Sequence, residues 1–185
     1  MAERRVIGLA GHIGVGKSMI ANYLVRKHGF HECSFSTALK WEVLRNFRRT
    51  LHAYVKLAHP TMPLNISVTH MLFDQRDEVT RALLQEYGTE VRRAQDPDYW
   101  VKLWRNSITV NYDRPIVAAD VRFPNEAEAI RREGGQVWLV TRPERVGDYH
   151  SSETSLVGWT EFDRYVRNEW TPEKTYATVD LLLGE

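Results

Sequence analysis

A chain of 185 residues, 43% hydrophobic and 26% charged, has the size and composition of one soluble globular domain with room for a small lid or insertion. Its 25 Lys and Arg against 24 Asp and Glu leave a formal net charge of +1, so no overall field steers it to nucleic acid or to a membrane surface. The single cysteine, Cys33, excludes an internal disulfide, and no apolar run approaches the ~20 residues of a membrane span. The N-terminal Met-Ala-Glu-Arg-Arg carries no signal-peptide core, so a cytoplasmic protein is expected, without nucleic-acid or membrane partners. Arginine far outnumbers lysine, and guanidinium forks suit bidentate phosphate recognition.

The chain opens with a buried strand over Arg5–Ala10. The stretch Gly11-His-Ile-Gly-Val-Gly16-Lys17-Ser18 then fits G-x-x-x-x-G-K-[ST] without a mismatch and runs into an amphipathic helix, Lys17–His28. Glycines let the backbone curl so that successive N–H groups point at phosphate oxygens, and the helix N-terminus adds its positive dipole end. Gly11, Ile13, Gly14, Val15, Gly16, Lys17, Ser18 and Met19 are therefore the expected contacts to a nucleoside triphosphate. Lys17 would reach the β- and γ-phosphates, and the Ser18 hydroxyl would sit on Mg²⁺.

A short strand over His31–Phe35 follows, with Cys33 read as a small core residue. Ser36 is the expected N-cap of a helix over Thr37–Leu51, and residues 59–63 break the pattern as a connection. Val68–Ala94 reads as helical, with a bend or close packing at Gly88. Asp96-Pro-Asp98 caps a further helix, Tyr99–Val110. Pro115–Ala119 is a fully buried strand ending in Asp120, Pro124–Glu133 a helix closed by Gly134-Gly135, and Gln136–Thr141 another strand. Arg142–Gly158 is polar and irregular, as a mobile lid would be; Phe162–Arg167 is a last strand and Pro172–Leu183 the closing helix. Alternating strands and helices imply an α/β fold with a parallel sheet.

Three further constellations carry chemistry. Asp120, at the carboxyl end of a buried strand, is placed to orient a metal or substrate, and Arg122 would face the same crevice with a fork for phosphate oxygens; the bland reading is a turn cap and a surface ion pair. Around Gly88, helical spacing puts Val79, Leu83, Tyr87 and Val91 on an apolar face and Arg81, Gln85, Thr89 and Arg92 on a polar ridge. That ridge suits a solvated face as well as a reader of a nucleoside monophosphate. In the lid, Arg142 and Arg145 would serve as cationic clamps, while His150 reads as a surface histidine. Trp41, Trp100 and Trp104 fall at core spacing, with Trp100 also a candidate border of a base pocket, and the histidines show no zinc-ligand spacing.

The residues in this order resemble the deoxynucleoside monophosphate kinases of tailed bacteriophages. The resemblance rests on the phosphate loop, Phe35–Lys40, Leu83–Glu90, Asp98–Lys102, Asp120–Glu126, Gly135–Arg142 and His150–Glu153, spread over most of the chain. Two stretches depart from it: Ser36-Thr37-Ala38 stands where an Asp or Gly-Pro element is common, and Asn168-Glu-Trp170 where Asn-Asp-Gly is usual, the latter read as a change of turn only. It implies a nucleoside monophosphate kinase fold: a parallel sheet with helices on both faces, a monophosphate-binding helical region at about 36–110, and a lid at about 142–158, all in one domain over 1–185. It implies ATP as donor, Mg²⁺ as cofactor with Ser18 and Asp120 as its protein ligands, and a deoxynucleoside 5′-monophosphate as acceptor. Ser36, Lys40, Arg81, Gln85, Thr89, Arg92 and Trp100 would belong to the acceptor side. Asp120 and Arg122 would lie between the nucleotides, Arg142 would touch the donor, and Lys17, Asp120, Arg122 and Arg142 would be the catalytic groups. A homodimer stays open. So do two other readings: a small-molecule kinase of the same fold, such as a dephospho-coenzyme A kinase, and an ATPase or nucleotide switch.

Overall fold

The structure, a computed structural model, describes residues 5–58, 61, 64–74, 77–110, 113–142, 156, 158–169 and 171–184, with backbone alone at 64–67. The chain divides into two compact units, Met1–Phe35 with Val101–Glu185, and Ser36–Trp100.

The first unit is built on five parallel strands: β1 Val6–Ala10, β2 His31–Glu32, β3 Ile116–Val121, β4 Gln136–Thr141 and β5 Arg164–Arg167, in the order β2-β3-β1-β4-β5. Strands β1 and β3 are apolar on successive residues because both faces of a parallel sheet are covered. On one face Ile7, Leu9, Val117, Trp138 and Val140 pack with Ile20 and Leu24 of α1 (Lys17–His28) and Val179 of the C-terminal helix, Pro172–Leu183. On the other, Val6, Ile116, Ala118 and Val137 meet Trp104, Ile108 and Ile130. Trp104 and Ile108 lie on the helix Tyr99–Thr109, and Ile130 on the helix Pro124–Arg132. The expected α/β architecture with helices on both faces is what the chain forms, and no helix among the described residues is long and apolar enough to cross a membrane.

Strand β3 carries an irregularity that matters for the site. Gly8 pairs with Ala118 but Ala10 with Val121, so β3 holds one residue more than β1 over that step. Val121 consequently shares a face with Ala118 rather than with Ala119. A bulge of this kind re-aims the side chains beside it, and here the residue is Asp120. The strand also runs one residue past its expected end in Asp120, to Val121.

The second unit is helical. Helix α2 spans Phe35–Ala58 with a break in helical geometry at Phe47 (φ −114°, ψ 15°), α3 spans Leu64–Phe73, and α4 spans Glu78–Gln85. A π-helix over Glu86–Arg93 continues α4, and α5 begins at Tyr99. With the helices of the first unit, α6 is Pro124–Arg132 and α7 is Pro172–Leu183.

Several expectations are corrected here. Ser36 is not an N-cap: α2 starts at Phe35, whose backbone N–H donates to Asp120 Oδ1 at 2.9 Å, a cap supplied from β3 that shortens β2 to two residues. The continuous helix over Val68–Ala94 is interrupted. Asp77 starts a new helix by accepting from the Thr80 N–H at 2.8 Å, and the Tyr54 hydroxyl donates to its other oxygen at 2.6 Å. Val79 and Val91 are 53% and 38% exposed, so of the predicted apolar face Tyr87 alone is buried, together with Thr80, Leu84 and Gly88 from outside it. Trp41 is 56% exposed, its ring 5.0 Å from Phe73, and is not core. Strand β5 begins at Arg164 rather than Phe162.

Candidate functional site

The phosphate-binding loop leaves β1 and turns into α1. Gly11 (φ +130°) has no room for a side chain, since a Cβ there would lie 2.2 Å from the Val140 carbonyl oxygen. Gly16, at the N-cap of α1, adopts φ +106°, open to glycine and strained for other residues. No side chain caps α1 and no acidic residue lies in its first turn, which leaves the positive end of the helix to an anion. Lys17 folds its ammonium onto the loop, donating to the carbonyls of Gly11 (2.5 Å) and His12 (2.8 Å). The exposed Ser18 and the partly buried Met19 follow on α1, while Val15 is buried in the core.

Two of the expected cations meet this loop. A cavity of about 410 Å³ is lined by Gly11, His12 and Val15 of the loop, by Arg122, by Thr141 and Arg142 at the end of β4, and by Trp159 and Phe162. Arg122 is held by its backbone. Glu126, 3% exposed, accepts from the N–H groups of Arg122 (2.8 Å) and Phe123 (3.1 Å), which fixes the turn from β3 into α6. His12 Nδ1 is buried without a hydrogen-bond partner among the described residues. Arg145, His150, Ser151, Ser152 and Glu153 lie outside the described residues, as does most of the expected lid.

The expected acceptor residues Ser36, Lys40, Arg81, Gln85, Thr89, Arg92 and Trp100 all belong to the second unit. Ser36 is in the first turn of α2, and the Lys40 ammonium lies 5.3 Å from the centre of the Phe73 ring. Arg81 is on α4, Gln85 ends it, and Thr89 is in the π-helix; all three are partly buried. Trp100, 3% exposed, donates its Nε1–H to the Gly88 carbonyl at 3.0 Å, so the ring is packed as core and fastens the π-helix. Gly88 in turn sits against Leu39, whose Cδ2 would be 2.9 Å from a Cβ.

The π-helix also re-aims Arg92. Seven residues make about two turns of an α-helix, which would keep Arg92 on the ridge of Gln85. They make only about one and a half turns when each hydrogen bond skips one residue further. Arg92 instead donates to Glu42, through Nε at 2.7 Å and through Nη2, with its guanidinium 5.3 and 5.1 Å from the rings of Tyr87 and Tyr99. Glu42, 7% exposed, also accepts from the hydroxyls of Tyr87 (2.7 Å) and Tyr99 (2.8 Å). Burial alone would push its carboxyl up; the bonds from Tyr87, Tyr99 and Arg92, with the charge of Arg92, outweigh burial and hold it below the ordinary carboxylate range.

Sequence reasoning gave no role to Glu42 or Glu126 and read Asn168 as part of a changed turn only. Glu126 had a signal, since a Glu three residues into a helix is a capping residue. Glu42 had none, because its partners lie 45 to 57 residues away, and nothing near Asn168 announces its bond to the Val15 carbonyl, 153 residues away. Among the described residues no three His, Cys, Asp or Glu side chains gather to hold a metal. Mg²⁺ takes one or two protein oxygens beside phosphate and water. The Ser18 hydroxyl and Asp120, the latter with Oδ1 also accepting from Phe35, are oxygens of the right kind.

The sequence pattern of the family described as deoxynucleotide monophosphate kinase matches residues 50–179. A protein of Acanthamoeba polyphaga mimivirus, provisionally named a deoxynucleotide monophosphate kinase, is 29% identical over 189 residues, covering 94% of this chain and 93% of its own. The crystal structure of TT1252 from Thermus thermophilus resembles this one with a TM-score of 0.52 at 19% identity, over 98% of this chain and 97% of that one, a likeness of fold. A dephospho-CoA kinase from Campylobacter jejuni aligns with a TM-score of 0.47 at 11% identity, over 99% of this chain and 97% of its own.

Proposed function

The chain belongs to the deoxynucleotide monophosphate kinase family and is a nucleotide kinase, and from that premise we propose that it transfers the γ-phosphoryl group of ATP to a deoxynucleoside 5′-monophosphate. The observation that carries this reading is the cavity in which Gly11 and His12 of the phosphate loop meet Arg122 and Arg142. Phosphoryl transfer needs positive charge on the phosphates in flight, which these two arginines are placed to supply.

In this reading the loop amides and Lys17 hold the donor phosphates, and the ammonium of Lys17 exchanges its two loop carbonyls for phosphate oxygens. Ser18 and Asp120 would hold Mg²⁺, which would supply charge neutralisation to the donor phosphates. Arg81, Gln85 and Thr89 of the second unit, with Ser36 and Lys40, bind the acceptor, while Arg92 is committed to Glu42 and braces the π-helix that carries Thr89. An oxygen of the acceptor phosphate attacks the γ-phosphorus in line; the bond from that phosphorus to the β–γ bridging oxygen breaks, and ADP leaves with the bridging oxygen. The acceptor is already largely a dianion near neutral pH, its second pKa being about 6, so no general base is required. Arg122 and Arg142 offset the charge that spreads over the transferring group.

The test is ADP release from MgATP across deoxy- and ribonucleoside monophosphates, with Lys17→Ala as control. Acceptor-dependent turnover that disappears in the variant supports the kinase reading and names the bases accepted. Slow ADP formation indifferent to every acceptor would refute it in favour of an ATPase.

A further inference from the structure

The residue that follows the last strand sends its side chain out of its own neighbourhood to the phosphate loop. Asn168, 8% exposed, donates its Nδ2–H to the carbonyl of Val15 at 2.8 Å, a buried bond spanning 153 residues of sequence. Its Oδ1 accepts from the Thr175 hydroxyl of α7 at 3.0 Å, and Thr175 is itself 2% exposed. Its backbone N–H donates to the Thr141 carbonyl at 2.8 Å, the residue before Arg142. The amide is thus held at both ends, and its orientation is settled, since only nitrogen donates to a carbonyl and only oxygen accepts from a hydroxyl here.

We propose that Asn168 is a positioning residue for the phosphate-binding loop, setting the peptide between Val15 and Gly16 so that the Gly16 N–H is aimed for a donor phosphate. The inference rests on the proposal that this loop binds ATP. The reason is the planarity of the peptide unit. The structure has no cis peptide bonds among the described residues, so the carbonyl of Val15 and the N–H of Gly16 point in opposite directions. Drawing the carbonyl toward Asn168 sends the N–H away from it. At Gly16 the backbone has φ +106°, a region in which a glycine peptide turns easily, so an outside restraint has a conformation to choose. The packing is mutual. A Cβ on Gly16 would lie 2.3 Å from Asn168 Nδ2, so glycine at 16 is what admits the amide. Through Thr141 the same residue ties the loop to the end of β4 that carries Arg142, so both sides of the donor phosphates share one anchor.

An aspartate at 168 keeps the shape and loses the donor, and a valine at 175 removes the hydroxyl that orients the amide. In Asn168→Asp the KM for MgATP rises by about tenfold or more, because a buried carbonyl loses its partner where the loop must be rigid, while the KM for the deoxynucleoside monophosphate stays within about twofold. The thermal stabilisation by the non-reacting MgATP analogue with a β–γ imido bridge falls in parallel, and the melting temperature without nucleotide falls by only a few degrees. Thr175→Val shifts the same quantities in the same direction by a smaller factor, and it decides the matter if the aspartate variant does not fold. Folded variants with an unchanged KM for MgATP, or with both KM values raised alike, overturn the proposal and leave Asn168 a staple of the fold. A wild-type protein that the analogue does not stabilise overturns the ATP reading and this inference with it.

Discussion

Glu42→Gln probes the buried network that holds Arg92. In the native protein one carboxylate oxygen takes the Tyr87 hydroxyl and the Arg92 guanidinium, and the other takes the Tyr99 hydroxyl. Glutamine preserves the volume, keeps one acceptor, and turns its amide nitrogen to the Tyr99 hydroxyl, which accepts as readily as it donates. What is lost is the charge. Hydrogen bonds to an ionised group are worth about 1.5–3 kcal/mol against about 0.5–1.5 for neutral ones, and the burial penalty of the carboxylate is relieved at the same time. Arg92 is 28% exposed, so solvent screens its share. The net is about 2 kcal/mol of stability, or roughly 4–8 °C in melting temperature for a chain of this length.

The pH dependence gives the prediction its sign. Glu42 has a folded pKa below its unfolded value, so its contribution is fully present above the unfolded carboxyl value of about 4.3 and disappears as pH falls through the folded one. The difference between wild type and Glu42→Gln, followed by urea unfolding, is full at pH 7 and closes in acid. Because the Glu42–Arg92 pair braces the π-helix that carries Thr89, the KM for the monophosphate rises and that for MgATP does not. A stability difference that stays constant from neutral to acid pH, or none at pH 7, would refute this account of the network.

Arg122→Ala should lower kcat by about a thousandfold, the scale of a cationic clamp on a transferring phosphoryl group, and steady-state kinetics would expose a smaller effect. In Gly16→Ala the new methyl meets Asn168 Nδ2 at 2.3 Å in a backbone region strained for alanine. It should abolish stabilisation by MgATP in a thermal-shift assay, and retained stabilisation contradicts the loop geometry. Trp100→Phe leaves the buried Gly88 carbonyl without its donor, at about 1–3 kcal/mol, and loosens the π-helix. Thermal unfolding should register the loss, and kinetics a raised acceptor KM, with kcat close to wild type.

Local rules were enough wherever the physics is local. The loop, its strand and its helix are legible in consecutive residues, because glycines at fixed spacing leave the backbone free to curl, with a lysine and a hydroxyl at its end. The buried strands are likewise legible as apolar runs, and the α/β order follows from their alternation. Tertiary structure decided what depends on partners far along the chain. Asp120 caps α2 from across the sheet, so neither Ser36 nor the length of β2 was readable from propensity. The widened turn at Glu86–Arg93, fastened by Trp100, withdrew Arg92 from the ridge that α-helical spacing assigns it and gave it to Glu42. Asn168 looked like a turn residue and is instead a prop under the phosphate loop. A motif states which groups chemistry needs; the direction in which each one points is set by buried hydrogen bonds that no sequence spacing encodes.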